Sequence, residues 1–322
     1  MAEFALIDRI RARATHARDD VLLGIGDDAA LLQPPPGMQL AVTMDTLNDG
    51  VHFPRGTDAG LVGWKALAVN LSDLAAMGAE PAWCTLSLSL PEADPAWADA
   101  FLDGFLALAL EHGVALIGGD TTRGPLAVSI TAHGFVPAGA ALRRDGARPG
   151  DEVWASGTLG DAAGALVLLQ RGEPVDGHLA SRLHRPQPRV GLGVGLRGIA
   201  SACIDISDGL LADLGHVCTA SGVAASLDAV TVPTSDALRG AFDADALHAL
   251  QLAGGDDYEL CFTAPEAARA SVEHAARGAG VPVTRIGRIA AGAGVSVRGA
   301  RMPAGAGYQH FAGASTGTPD RA

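Results

Sequence analysis

The chain holds 322 residues, 48% of them hydrophobic and 18% charged, with 36 acidic against 23 basic side chains for a formal charge of −13. At ~150 residues per domain this length allows about two domains with their own cores, and the apolar content excludes a disordered chain. The acidic balance repels nucleic acid and anionic lipid, and the apolar runs are far shorter than the ~20 residues of a bilayer span, so neither nucleic acid nor membrane is an expected partner. The segment Met1–Ile10 interleaves acid and base where a secretion signal needs an apolar run, so a cytoplasmic location is expected. Lys65 is the only lysine, which argues against a Walker A loop and most Schiff-base chemistry. Cys84, Cys203, Cys218 and Cys261 form no C-x-x-C pair and are expected to be reduced, buried thiols.

Phe4, Leu6, Ile7 and Ile10 recur at helical spacing and predict a helix over 3–16, with a short strand at 21–23. A strand is expected at 39–46, then a long Ala- and Leu-rich helix over 59–77, stopped by Gly78 and Pro81 and carrying Asp73 in its last turn. Alternation predicts a strand at 83–90, followed by a helix over 95–112 and a short buried strand at 114–117 that ends at Gly118-Gly119-Asp120. Another strand is expected at 126–136. The Gly-, Pro- and Arg-rich stretch that follows reads as an interdomain connection. This divides the chain into a first domain over 1–137, a connection over 138–150, a second domain over 151–312 and a loose tail over 313–322. Strands at 152–155, 203–206, 258–263 and 281–289, with helices over 160–171, after Asp208 and from Pro265, give the second half the same mixture. The expected class is mixed α/β, with the Gly/Ala stretch at 290–307 the remaining region of low complexity.

Aspartates gather at the ends of these elements: Asp27 and Asp28, Asp45, Asp73, Asp120, Asp205 and Asp208, Asp256 and Asp257. Any one of them reads as a turn or a helix cap. Together, and without lysines to pair with, they point to convergence in one cleft. Each like-charge pair ~4 Å apart costs on the order of 4 kcal/mol at an effective dielectric of 20, which a bound cation relieves. An all-oxygen ligand set selects a hard ion, magnesium ahead of calcium or manganese. The Asp205 segment does not fit an EF-hand, because its glycine arrives at the fifth position.

Two glycine patterns are decoys. Gly24-Ile-Gly26-Asp-Asp-Ala29 follows a strand, but its helix would meet Pro34-Pro35-Pro36 after five residues and its acids would face a pyrophosphate. Gly193-Val-Gly195-Leu-Arg-Gly198 follows a Pro-rich segment rather than a strand. No nucleophile elbow and no His-Glu-x-x-His occurs, so covalent catalysis has little support. His52 reads as either structural or substrate-facing. Arg143 and Arg144 read as either phosphate contacts or a solvated pair.

The words Gly24-Ile-Gly-Asp-Asp-Ala-Ala30, Asp45-Thr46 with His52-Phe53, Ala66-Leu-Ala-Val-Asn-Leu-Ser-Asp-Leu-Ala-Ala-Met-Gly78, Ile117-Gly-Gly-Asp-Thr-Thr-Arg-Gly-Pro125, Asp205-Ile-Ser-Asp-Gly-Leu210 and Gly254-Gly-Asp-Asp-Tyr-Glu-Leu260 resemble the thiamine-monophosphate kinase family. That family belongs to the AIR synthetase-like (PurM-like) superfamily, and the resemblance runs from residue 4 to about Phe311. It implies a two-domain AIR synthetase-like fold, a homodimer built on the N-terminal mixed sheet, and ATP-dependent phosphorylation of thiamine monophosphate to thiamine diphosphate with several Mg2+ ions. Carried over by position, Asp28, Thr43, Met44, Asp45, Asp73, Asp120, Asp205 and Asp208 are the implied metal ligands, with Asp45, Asp120 and Asp208 catalytic. Gly119, Asp120, Arg144 and Ser207 are implied to face the nucleotide, and His52, Asp256 and Tyr308 the acceptor.

Two positions depart from the family pattern. Met44 stands where the family commonly has Thr or Ser and offers only its carbonyl, and Asp256 stands where Glu is common and is one methylene shorter. Tyr308 and Phe311 are candidate aromatic faces for the cationic thiazolium. An acceptor phosphate is already anionic near pH 7, its second pKa being ~6, which suits direct transfer without a strong base or a phosphoenzyme. Other ATP-dependent enzymes of the superfamily, and a non-catalytic Mg-nucleotide or thiamine-phosphate binding protein, are the alternatives.

Overall fold

The computed structural model describes residues 3–14, 17–303, 305–308 and 310. Its first half runs α1 (Glu3–Arg13), β1 (Val21–Leu23), β2 (Leu31–Leu32), β3 (Met38–Asn48), α2 (Ala59–Ala76), β4 (Glu80–Leu90), α3 (Pro95–Glu111), β5 (Ala115–Arg123) and β6 (Ala127–Pro137). The second half runs β7 (Glu152–Ser156), α4 (Asp161–Gln170), α5 (Gly177–His184), α6 (Val190–Gly195), β8 (Ala202–Asp205), α7 (Leu210–Ser221), β9 (Ala224–Asp228), α8 (Asp236–Ala241), α9 (Ala244–Ala253), β10 (Leu260–Ala264), α10 (Arg269–Ala279), β11 (Val283–Ala290) and β12 (Gly294–Arg298).

The first half is a four-stranded mixed sheet in the order β3-β6-β4-β5, with β4 and β5 parallel and the other pairs antiparallel. α2 and α3 pack together against it. Asp58 starts α2 by accepting from Gly60 N and Leu61 N, and Asp94 with Pro95 starts α3. Leu67, Leu71, Leu74, Phe101, Phe105, Leu108, Val128 and Ile130 are fully buried between the layers. Each contributes about 1.5–3 kcal/mol by leaving water. The other sheet face buries Trp83, Ala115, Ile117 and Phe135 against Val21 of β1 and Leu32 of β2, and on β3 it leaves Leu40, Val42 and Met44 at 46%, 56% and 62% exposure.

The second half builds a six-stranded sheet, β12-β9-β11-β7-β10-β8, parallel between β12 and β9 and antiparallel elsewhere. α2 joins the halves. It contacts α6 and β8, and Trp64 Nε1 on it donates to the Pro186 carbonyl at 3.0 Å. One hydrophobic cluster runs through both halves, from Leu71 and Phe105 to Trp154, Leu192 and Val272.

The expected strands and long helices of the first half are present, and the differences have physical causes. β5 does not stop at Ile117 but continues to Arg123, because it pairs with β4 from Trp83 through Leu90. Gly119 holds φ +150 inside it, and a Cβ there would lie 1.8 Å from the Leu86 carbonyl oxygen. Tyr258 is not in the strand expected at 258–263: it precedes β10, which opens at Leu260. β2, α5, α6, α8, α9, β9 and β12 were not foreseen. The glycine-rich decoy at 193–198 begins in α6, and the loop at 24–30 leads into β2 rather than a helix, so neither forms a nucleotide-binding strand-to-helix turn. The cysteines are free and buried, as expected.

Candidate active site

α2 is buried nearly all round, and three of its polar side chains form one stripe: Lys65, Ser72 and Asp73, with Val69 between them, recur at i, i+4, i+7 and i+8. The stripe meets the end of β3 and the loops after β8 and before β10. Together they line a cleft of about 470 Å3 that includes Asp45, Asp73, Asp205, Ser207, Asp208 and Asp256. Its other wall is apolar and aromatic, with Val51, Ala162, Ala163, Leu166, His52, Tyr308 and His310.

Asp45 is set by its backbone, whose N–H donates to Asn70 Oδ1 at 3.1 Å, while Asn70 Nδ2 donates to the Ala66 carbonyl at 3.0 Å. Thr43 Oγ1 donates to Asp73 Oδ2, and Ser72 Oγ donates to Asp205 Oδ2 at 2.8 Å. Burial and the neighbouring Asp73 push the Asp45 carboxyl up to about 6. Burial, then Asp73, push Asp205 up to about 8. Asp73 is also raised by burial, against the opposing pull of Thr43 and Arg144.

Such mutual destabilisation of buried carboxylates is what a divalent cation relieves. Among the described residues no three His, Cys, Asp or Glu side chains close a metal cage by themselves. An oxygen-only set of one or two carboxylates per ion, completed by phosphate and water, is the usual pattern for magnesium, and the cleft's donors fit it.

The loop after β8 is held by a residue the sequence reading missed. Asp213, in the first turn of α7, accepts from the backbone N–H of Ser207, Asp208 and Gly209 at 3.0, 3.1 and 3.0 Å. Gly209 takes φ +130 there, and a Cβ would press within 2.9 Å of Ala253. An acid one turn into a helix is a capping signal legible in Asp208-Gly-Leu-Leu-Ala-Asp213.

The loop before β10 holds Asp256 at φ 68 and Tyr258 at φ 51, conformations costly for side chains other than glycine. Asp256 N donates to the Ser207 carbonyl and Tyr258 N to the Ile206 carbonyl, each at 2.8 Å. Behind the loop, Gly160 N donates to the Asp257 carboxylate at 2.9 Å and Arg182 Nη2 to the Asp257 carbonyl at 2.8 Å. Arg189 Nε completes the support at Glu259 Oε2, 2.7 Å away.

His52 Nδ1 accepts from Asn48 N at 2.8 Å, and burial followed by the adjacent His310 holds its imidazole below the ordinary range. The chain then folds back so that Tyr308 N donates to the Asp208 carbonyl at 3.0 Å. The His310 ring stands 5.1 Å from His52 and 5.0 Å from Tyr308. Phe311 lies outside the described residues.

Not every implied site residue reaches this cleft. Asp28 is exposed in the loop between β1 and β2, and Arg143 pairs with Asp145 at 2.9 Å on the surface. Arg144 is exposed and reaches the cluster through its charge on Asp73. Met44 lines the cleft with its exposed side chain on the other sheet face. Gly119 and Asp120 line a separate small depression with Ile7, Ile10 and Leu86. Register explains the separation: Asp45 shares a row with Ile130, Leu86 and Gly119, three strand spacings or ~14 Å across. Asp120 belongs to the next row, Thr46-Ser129-Ser87-Asp120, whose side chains stand on the opposite sheet face from Asp45.

Comparison with known proteins places this architecture. Residues 26–136 match the family model of the AIR synthase related protein N-terminal domain, and residues 148–300 that of its C-terminal domain. The thiamine-monophosphate kinase of Salmonella typhimurium is 49% identical over 320 residues, covering 96% of this chain and 98% of that one. The crystal structure of thiamine-monophosphate kinase from Stenotrophomonas maltophilia is 60% identical and superposes with a TM-score of 0.87 over 93% of this chain and 98% of that one. A structure of AaThiL complexed with AMPPCP and TMP is 33% identical, with a TM-score of 0.76 over 96% of this chain and 97% of that one. With these motifs carried through both halves, the chain belongs to the thiamine-monophosphate kinase family.

Proposed function

We propose that this chain transfers the γ-phosphoryl group of ATP directly to thiamine monophosphate, giving thiamine diphosphate and ADP, with Mg2+ as the required cation. The observation that carries the reading is the set of buried carboxylates, Asp45, Asp73 and Asp205, facing an apolar and aromatic wall across one cleft. Family membership supports the same substrates, as does the relative solved with AMPPCP and TMP.

The chemistry asks little of the protein in proton transfer. The acceptor is a phosphate monoester whose second pKa is ~6, so it is largely a dianion near pH 7. Mg2+, when bound, neutralises the phosphate oxygens of donor and acceptor and the charge that spreads over the transferred group. The chain's part is to hold and align. Asp45, Asp73, Asp205 and Asp208 supply oxygen ligands, Thr43 and Ser72 orient two of them, and Asp213 fixes the loop that carries Ser207 and Asp208. Val51, Leu166, Tyr308, His52 and Asp256 take the acceptor's rings and keep water from the transferred group. In this reading residues 1–137 form the dimerising half, and both halves contribute to the cation and acceptor sites.

A homodimer belongs to the proposal on physical grounds. On β3 the sheet face opposite α2 and α3 leaves the apolar side chains of Leu40, Val42 and Met44 exposed, and by register Asp120 stands on the same face. Asp45 and Asp120 of one chain are too far apart to share an ion, so the two serve one site only if a second copy supplies one of them. The direct test is ADP release by the purified protein with Mg-ATP, in the presence and absence of thiamine monophosphate. Release that depends on the acceptor supports the reading, and release indifferent to it contradicts it.

A further inference from the structure

Lys65 is buried to 3% exposure in the middle of α2, yet it carries a charge that no step above uses. A buried ammonium persists only with a partner. Its partner is Asp256 Oδ2, 2.8 Å from Nζ and 191 residues away, on the strained loop of the other half. The opposite oxygen, Oδ1, accepts from the Tyr258 hydroxyl at 2.9 Å. Both carboxylate oxygens are therefore pinned from the protein side, and the carboxylate still lines the cleft. Asp256 and Tyr258 are also the two non-glycine residues with positive φ among the described residues. Such strain survives where the surroundings over-determine it, and Lys65 reaches this loop from the first half with a hydrogen-bonded ion pair.

We infer that Lys65 is a positioning and specificity-determining residue for the acceptor: it fixes the Asp256 carboxylate so that its outward lone pairs accept from a neutral ring-bound amino group. The inference rests on the functional reading above. With Lys65 the pair has no net charge, so it offers directed acceptors rather than an anionic well. A neutral N–H donor is favoured over a cation, and an acceptor that presents a carbonyl in its place meets oxygen against oxygen. Thiamine monophosphate carries one such donor, the exocyclic amine of its aminopyrimidine. Lys65 itself is outside the lining of the cleft and acts through Asp256.

The test measures steady-state constants for thiamine monophosphate, for its analogue with a carbonyl in place of the pyrimidine amine, and for ATP, in wild type, Lys65→Met, Lys65→Arg, Asp256→Ala and the double variant Lys65→Met/Asp256→Ala. Lys65→Met is expected to raise KM for thiamine monophosphate about 30-fold and to shrink the amine-over-carbonyl preference in kcat/KM at least about tenfold, while KM for ATP moves less than about twofold. Lys65→Arg restores part of the preference, and in the Asp256→Ala background the lysine substitution changes it no further. If Lys65→Met does not fold, Lys65→Arg carries the test, because a longer cation displaces Asp256 and must alter the preference without altering KM for ATP. An unchanged preference, or equal losses toward ATP and acceptor, overturns the inference and leaves Lys65 a structural ion pair. A wild-type protein that does not phosphorylate thiamine monophosphate overturns the functional reading first and this inference with it.

Discussion

Asp45 and Asp205 show how one residue type serves two ends. In the ligand-free chain each is a buried acid raised above its ordinary range, to about 6 and about 8, by burial and by Asp73. The fold thus holds protons that the unfolded chain releases from about pH 4 upward, and stability falls as pH rises through the window up to the folded values. The melting temperature of the ligand-free protein is expected to drop from about pH 5 to about pH 8, and Asp205→Asn should flatten that slope. Parallel slopes in wild type and variant would remove Asp205 from the account. In the proposed reaction, with a cation and phosphates in the cleft, the same carboxylates would work as anions. Asp45→Asn is then expected to cut turnover at least ~100-fold, or about 2.7 kcal/mol in barrier, with a normal circular dichroism spectrum. Turnover near wild type at limiting magnesium would contradict its role.

At the level of elements, the candidate site is made by one helix, the end of β3 and two loops. α2 supplies Lys65, Asn70, Ser72 and Asp73, and Asp213 of α7 ties down three consecutive N–H groups of the Ser207–Gly209 turn. Asp213→Ala leaves those donors unsatisfied, at about 1–3 kcal/mol, so a lowered melting temperature and a raised KM for ATP are expected together. A change in melting temperature alone would mean that the turn is structural and no more.

These elements were unequally legible in the sequence. The acidic loops were plain only as a set, because one Asp beside Gly reads as a turn or cap while many of them without lysine partners point to convergence. α6, Val-Gly-Leu-Gly-Val-Gly, was not, because three of its six residues are glycine and two are valine, so its helicity comes from packing on α2 and α10. β12 was hidden in a Gly/Ala stretch for the same reason, since its pairing with β9 is a tertiary contact. The partnership of Lys65 with Asp256 was beyond reach: its members stand 191 residues apart, and an isolated lysine in an apolar helix carries no local signal. His310 likewise joins His52 only through the fold.

For the whole molecule, the separation of Asp45 and Asp120 makes the proposed dimer testable. Differently tagged Asp45→Asn and Asp120→Asn subunits, purified as a mixed dimer, would combine one site carrying both lesions with one carrying neither. About half of wild-type turnover per dimer is therefore expected from two inactive parents. No recovery would mean that each chain completes its own site without a residue from a second copy. No helix among the described residues is long and apolar enough to cross a membrane.

The proposal as a whole stands on the fate of one phosphoryl group, and 31P NMR follows it directly. With the protein, Mg-ATP and thiamine monophosphate, the resonances of a diphosphate ester should grow in step with ADP, with no inorganic phosphate accumulating. ADP and inorganic phosphate without the diphosphate ester, or no turnover from a protein that binds both ligands, would contradict phosphoryl transfer as the work of this cleft.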